Sequence, residues 1–544
     1  MTIALRIGIL LIWVVLLGLL LGRDYLVEEL QLRETTALEQ GRETSFAGVY
    51  FRGERIGFVR SRLTPGAEDE MRLEQEAYLL LNVLDEHHPV RLRLKARLDK
   101  AHLLQSFDFT LLSPFAETRA RGRVEGLELL LELDTPRGGV RQERIRLQAP
   151  PRIATNQRAY LLPPELAPGD RLRVSYFDPV SLAGHERILE YRGKEREVIE
   201  GRIHNLHRFS ETFAGMRINV WLNDQGRMVK EQSPAGFVFL AEPEFRATDI
   251  PAAGPEILTS VAVPLEGRLP ADLAQRAQMQ YRLLLDQEVD LDLAQDFDVV
   301  GGRQQLTGNI LTINREQWPP PVGSETCAPA VSREGRAGGP QSPLAADSSA
   351  AERMDAQEAA DASEAGRMPA ENERPAGIAA PHQRNYQEVK AALAATPHVQ
   401  SDDPELADLA RRIVTEAQTP AAQVEKLAAW VHQELEQRPV MGIPDALSVL
   451  ETRVGDCNEH ATLFAALARA VGLPTRITAG LVHMEDRFYY HAWNEVCLGD
   501  QWYSVDTTLN QLPAGLTHIR LITGETAEMV RLGALLGKLR LKTE

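Results

Sequence analysis

Three side chains suited to acyl transfer fall in a fixed order toward the C-terminus: Cys457 in Gly455-Asp456-Cys457, His491 in Tyr490-His491-Ala492-Trp493-Asn494-Glu495-Val496, and Asp506 in Trp502-Tyr503-Ser504-Val505-Asp506-Thr507-Thr508. A thiolate can attack a carbonyl, an imidazole can move the proton, and a carboxylate can hold the imidazole in one tautomer. Taken singly, each has a plainer reading. A cysteine at a helix start is a small buried hydrophobe, a histidine in an aromatic strand a satisfied core residue, and an aspartate after a strand a turn former. The joint order and setting are what point to chemistry.

The elements that must position them are legible. Ala461, Phe464, Leu467, Ala468 and Val471 share one face of a helix that Gly472 and Pro474 stop. Asp456 is then the N-cap and Cys457 lies in the first turn, where free N–H groups and the helix dipole should lower the thiol pKa. Past Pro474, residues 475–483, 488–498 and 501–508 are rich in β-branched and aromatic residues and read as strands. Gly499-Asp500, with glycine first, suits a type II′ hairpin. If Leu498 pairs with Gln501, Trp493 faces Asp506 and His491 faces Thr508. His491 and Asp506 are then diagonal neighbours on one face, about 7–8 Å apart at the backbone.

Together these motifs resemble the transglutaminase-like superfamily, a papain-like cysteine fold. Gln400-Ser401-Asp402-Asp403-Pro404 upstream and Thr517-His518-Ile519 downstream extend the likeness, which covers residues 386–544 and is similar to a bacterial branch. The resemblance implies Cys457 as nucleophile, His491 as general base and Asp506 as orienting acid, with no metal or organic cofactor. It implies acyl transfer on a protein or peptide amide, hydrolysis ahead of crosslinking. One departure is Asp506-Thr507-Thr508, where many members have Asp-Pro-Thr. The rival from another class is a non-catalytic peptide- or protein-binding scaffold at the cell envelope.

At 544 residues the chain exceeds one core, and 44% hydrophobic content is ordinary for folded material. A formal charge of −17 argues against nucleic acid as a partner. Residues 7–22 are an uninterrupted apolar run that, extended past Arg6, reaches bilayer length. The flanking charges place the N-terminus in the cytoplasm and the bulk outside, so 1–24 is expected as a transmembrane anchor, with a cleaved signal peptide as the alternative. Three cysteines, Cys327, Cys457 and Cys497, imply no disulfide framework. Cys497 reads as a packing residue and Cys457 as unpaired.

The expected fold class is α+β: a papain-like, transglutaminase-like core at 386–544, preceded by antiparallel β-domains and the N-terminal helix. Residues 45–248 read as an antiparallel β-domain, most plainly at 91–98, where polar and apolar residues alternate. A curved sheet, sandwich or open barrel would serve as spacer or docking module, or hold a ligand on its concave face. Residues 250–318 read as a small β-domain, in which Asp290, Asp292, Asp296 and Asp298 form a solvated acidic edge, since the glycine and terminal glutamate of an EF-hand loop are missing. Residues 319–385, rich in Pro, Ala, Gly, Ser and Glu, read as a linker. Beyond it, Asp403-Pro404 and Thr419-Pro420 open two amphipathic helices, the second carrying Trp430 as a packing residue. Oligomeric state is not legible.

Overall fold

The alternation at 91–98 becomes the strand Glu86–Leu98, with Val90, Leu94, Ala96 and Leu98 buried and the intervening Arg and Lys side chains exposed. The computed structural model describes residues 44–544 apart from 67–69, 136–138, 200, 214–215, 234, 252–253, 287–290, 322–326 and 328–386. The expected anchor at 1–24 lies outside the described residues, as does the expected linker apart from 319–321 and Cys327. Among the described residues, no helix is long and apolar enough to cross a membrane.

That strand belongs to a single sheet of fourteen. Two antiparallel meanders, of eight and six strands, join where Thr44–Phe51 pairs with Phe237–Glu242, placing Val49 opposite Phe239. The sheet's two edges are Gly139–Arg146 and Arg171–Asp178. The second edge curls back over the first meander: the Phe177 and Phe107 rings lie 5.1 Å apart, and Phe177 and Leu182 share a core with Leu94, Phe109 and Leu131. Folding the sheet on itself buries one face without a helical layer.

A second sheet of nine strands carries the candidate site. The small β-domain expected at 250–318 is not a separate unit. Its strands Val263–Glu266, Gln278–Leu285, Gln304–Thr307 and Ile310–Asn314 are hydrogen-bonded into the sheet that holds His491, with Val263 opposite Phe488 and the C-terminal strand Leu539–Thr543 paired against Leu283. Strands this short cannot bury a face alone; Tyr281, Leu311 and Ile313 are covered by Leu481, Phe488, Ile519 and Leu521. The acidic run is also more engaged than expected. Asp292 caps the short helix Leu293–Asp296, and Asp298 Oδ2 accepts from the Thr523 amide at 2.9 Å.

The helical half follows its caps. Asp403 accepts from the Glu405 amide at 2.9 Å to open Pro404–Val414, and Thr419 accepts from Ala422 at 3.2 Å to open Pro420–Glu434. The Cys457–Ala470 helix is buried from Glu459 through Arg469, because those two helices and the sheet enclose it. Gly472, at φ 81°, ends it: Leu473 N–H bonds Ala468 O and Gly472 N–H bonds Arg469 O, both at 3.0 Å, the double bond of a Schellman cap. Trp430 packs against this core, and the Arg453 guanidinium covers its ring at 4.7 Å. Met441 and Ile443 project into the core of the fourteen-stranded sheet, and Arg141 pairs with Asp402. The fourteen-stranded sheet is therefore docked against loops of the helical half.

Candidate active site

Cys457 is the first residue of its helix, as the sequence predicts. Asp456 Oδ1 accepts from the Asn458 amide at 2.9 Å, while Glu459 reaches back to accept from the Asp456 amide at 3.0 Å, completing a capping box. Glycine is required at 455, since a Cβ there would lie 2.2 Å from that of Glu459. The thiol is free and half-buried, and the Ala492 amide of the neighbouring strand points at its sulfur.

The expected lowering of the thiol pKa is not what the structure gives. Burial pushes the Cys457 thiol well up, and the carboxylates of Asp456, Glu459 and Asp506 add to that against the Ala492 amide. The dipole of one helix turn is outweighed by burial and, after it, by the acidic cap that opens the helix. Glu459 is itself raised well above the usual carboxylate range, by burial and then by Asp456.

His491 sits in the strand Arg487–Leu498, with Ala492 and Asn494 following it. The hairpin register is as predicted from Leu498 opposite Gln501 to Asn494 opposite Val505. Its turn is not type II′: Gly499 and Asp500 both have positive φ, 58° and 66°, which is the type I′ arrangement that matches strand twist. The ladder ends at Val505, and Asp506 instead exchanges backbone bonds with Gln511 at 2.9 Å. Its side chain still turns inward. Asp506 Oδ2 accepts from His491 Nε2 at 2.8 Å, and Oδ1 accepts from the Thr508 and Leu509 amides at 2.9 Å. Burial opposes ionisation of Asp506, but hydrogen bonds from His491 and from His518 outweigh it and hold the carboxyl well below its usual range. With Nε2 donating to the carboxylate, His491 presents Nδ1 as its basic atom.

Several neighbours carry no role in the sequence reading. His518 Nε2 also donates to Asp506 Oδ2, at 2.8 Å. His460, one turn along from Cys457, donates from Nδ1 to Asp456 O at 2.8 Å, and His432 donates from Nδ1 to Thr507 O at 3.0 Å. Asn494 Nδ2 donates to Ala461 O at 2.9 Å, tying the His491 strand to the Cys457 helix. Glu495 is buried between Arg476 and Arg520 at 2.6 and 3.1 Å, and despite burial these cations hold its pKa at about 2. Periodicity cannot find such residues; the Thr517-His518-Ile519 motif and the Asn494-Glu495 pair beside His491 were the available signals. The donor atoms of His491, Asp506 and His518 lie within 4.8 Å of one another, near enough for one divalent cation, though both imidazole nitrogens are already engaged with the carboxylate.

With a cysteine at the helix start, a histidine on the adjoining strand and its aspartate partner just past the end of the next, residues 407–507 match the model of the transglutaminase-like superfamily. This region is a transglutaminase-like core. Among solved structures, a candidate cysteine protease from Cytophaga hutchinsonii is similar at 22% identity over 28% of this chain and 50% of that one, with a TM-score of 0.24. The periplasmic domain of TgpA from Pseudomonas aeruginosa, bound to ethylmercury, is similar at 24% identity over 24% of this chain and 52% of that one, TM-score 0.20. A β-barrel-like protein from Brucella abortus, of a domain family of unknown function, is similar at 10% identity over 37% of this chain and 94% of that one, TM-score 0.28. The matches thus span about half the length of the first two proteins. No curated protein matches the chain.

Proposed function

We propose that the transglutaminase-like core is a cysteine-dependent acyl-transfer enzyme acting on peptide or glutamine amides, with water as the usual acceptor. The observation that carries this is the 2.8 Å bond from His491 Nε2 to Asp506 Oδ2, which leaves Nδ1 as base on the strand whose Ala492 amide meets Cys457. In the reaction, Cys457 Sγ attacks the amide carbonyl as its proton passes to His491 Nδ1. The tetrahedral oxyanion forms beside the Cys457 backbone N–H at the helix start. Collapse breaks the C–N bond, His491 protonates the departing amine, and water, deprotonated by His491, then hydrolyses the thioester. Because burial raises the thiol, proton transfer accompanies attack rather than preceding it as a standing ion pair. Asp506 stabilises the imidazolium in the interval.

The chain's bulk is read as extracytoplasmic, anchored by residues 7–22. A disulfide between Cys327 and Cys497 supports an oxidising compartment. A second reading, a non-catalytic peptide-binding scaffold, draws support from the raised thiol. Iodoacetamide labelling of the purified protein across pH, with casein as amide substrate, separates the two. Cys457→Ala abolishes labelling and turnover, His491→Ala retains labelling only toward alkaline pH, and Asp506→Asn loses on the order of 10⁴ in turnover if the amide selects the wrong tautomer. Ammonia release from casein whose lysine amines are dimethylated, with no amine added, identifies hydrolysis of a glutamine amide. Equal labelling of wild type and His491→Ala at every pH would sink the catalytic reading.

A further inference from the structure

Asp506 serves two imidazoles, and one of them, His491, stands next to Ala492, whose amide meets the Cys457 sulfur. An ionised carboxylate only accepts hydrogen bonds, so His491 and His518 must both carry their proton on Nε2. His518 is fully buried, and its Nδ1 has no hydrogen-bond partner among the described residues. A second proton there would have nothing to bond. Burial accordingly holds its pKa at about 4, and the ring is neutral at neutral pH.

The histidine is itself firmly seated. Arg303 donates to its carbonyl at 2.9 Å and to the carbonyls of Ala514 and Gly515 in the loop before it. Its ring stands edge-on to Trp493 with centroids 5.3 Å apart, and the other side of the same cradle stacks Trp493 on His491 at 6.2 Å. The Asp506 carboxylate is consequently pinned by the Thr508 and Leu509 amides on one oxygen and by His518 on the other, independently of His491. A carboxylate held that way keeps its place while His491 gains and loses a proton.

Resting on the catalytic reading above, we propose that His518 is a positioning residue for the reaction: a neutral donor that fixes Asp506 Oδ2 and through it the orientation and tautomer of His491. The titratable and charged groups facing this assembly are His432 and His460 from the helices, Asp456 and Glu459 beside the thiol, and Arg303 behind His518. None of them donates to Asp506 Oδ2 among the described residues. Among the described residues, His518 alone supplies the second bond to that oxygen.

The test compares wild type, His491→Ala, His518→Phe and His518→Gln in the full-length protein, with iodoacetamide labelling of Cys457 followed by mass spectrometry across pH. Phenylalanine keeps a ring against Trp493 without the donor; glutamine restores an N–H donor. Loss of a hydrogen bond to a charged group predicts labelling near neutral pH slowed about ten- to a hundredfold in His518→Phe, with a profile shifted toward that of His491→Ala. His518→Gln recovers most of the rate and the wild-type profile. A merely structural histidine would instead loosen the site and speed labelling without moving the profile. Should His518→Phe fail to fold, His518→Leu replaces it in the comparison. A wild-type profile distinct from His491→Ala but unchanged in the donorless variant overturns this inference alone; a wild-type profile identical to His491→Ala overturns it together with the catalytic reading. Loss of wild-type labelling in EDTA, restored by zinc and absent from His518→Gln, would overturn it in favour of a metal ligand.

Discussion

Glu459 shows how a residue chosen for local structure acts on a distant property. It closes the capping box by accepting from the Asp456 amide, yet folding buries it beside the Asp456 carboxylate, so it holds a proton well above the usual carboxylate range. Its pKa is raised on folding, so the sign is definite. Its contribution to stability is complete below the ordinary value of 4.5 and is lost as pH rises through the raised one. Glu459→Gln, which keeps an acceptor oxygen for the cap, removes that titration. Chemical denaturation at about pH 6 and about pH 9 should show a larger alkaline loss in the wild type than in the variant. Parallel losses would mean that Glu459 is already ionised. The Cys457 position was readable from the Asp456 cap, but the direction of its thiol shift was not, because that depends first on how folding buries the sulfur and then on the carboxylates brought near it.

At the scale of elements, the His491 strand is tied to the helix and to the strands around it. Asn494 ties it to the Cys457 helix, and Glu495 ties it through Arg476 to its own neighbour strand and through Arg520 to Ile519–Thr523. Arg520 also donates to the carbonyls of Asp298, Val300 and Gly301, so the network extends to the segment between the helix Leu293–Asp296 and the strand Gln304–Thr307. Removing the central carboxylate leaves two guanidinium groups facing each other in a buried site. Glu495→Ala should therefore lower the free energy of unfolding by about 3–5 kcal/mol, measured by urea denaturation at neutral pH. A loss below about 1 kcal/mol would show the ions to be solvated in practice. The strand itself was legible from its aromatic and β-branched residues. The ion cluster was not, since Arg476, Glu495 and Arg520 belong to three strands whose order no local pattern fixes.

At the scale of the whole molecule, the Cys327–Cys497 disulfide corrects the expectation that Cys497 merely packs. The two Cα atoms are 5.6 Å apart across 170 residues of sequence, and the bond lies under Val389, Leu393 and Trp502. It fastens the chain just after Trp318 to the end of the His491 strand, beyond the ladder positions that carry the site. Cys497→Ser should cost roughly 2–4 kcal/mol of stability. Cys457 labelling at room temperature should persist, with melting followed by circular dichroism and labelling by mass spectrometry. Loss of labelling in a variant that remains folded would mean that the bond orients the site as well as stapling it. The fourteen-stranded sheet meets the transglutaminase-like core through Met441, Ile443 and the Arg141–Asp402 pair, so the large β-domain is joined to the core by packing as well as by the chain.

The sequence by itself determined what short-range interactions decide. The helix starts at Asp403-Pro404, Thr419-Pro420 and Asp456, the stop at Gly472, the alternating strand at 91–98 and the Leu498–Gln501 hairpin register all depend on residues a few positions apart. Tertiary structure decided the rest. The strands of 263–314 join the sheet of His491 only because Phe488 and the C-terminal strand cover faces they cannot bury alone. Cys327 finds Cys497, and His518 finds Asp506, because loops closed over long separations bring them together. The thiol of Cys457 is raised for the same reason: burial and neighbouring charge belong to the assembled site, whereas the helix dipole that argued the other way belongs to one turn of chain.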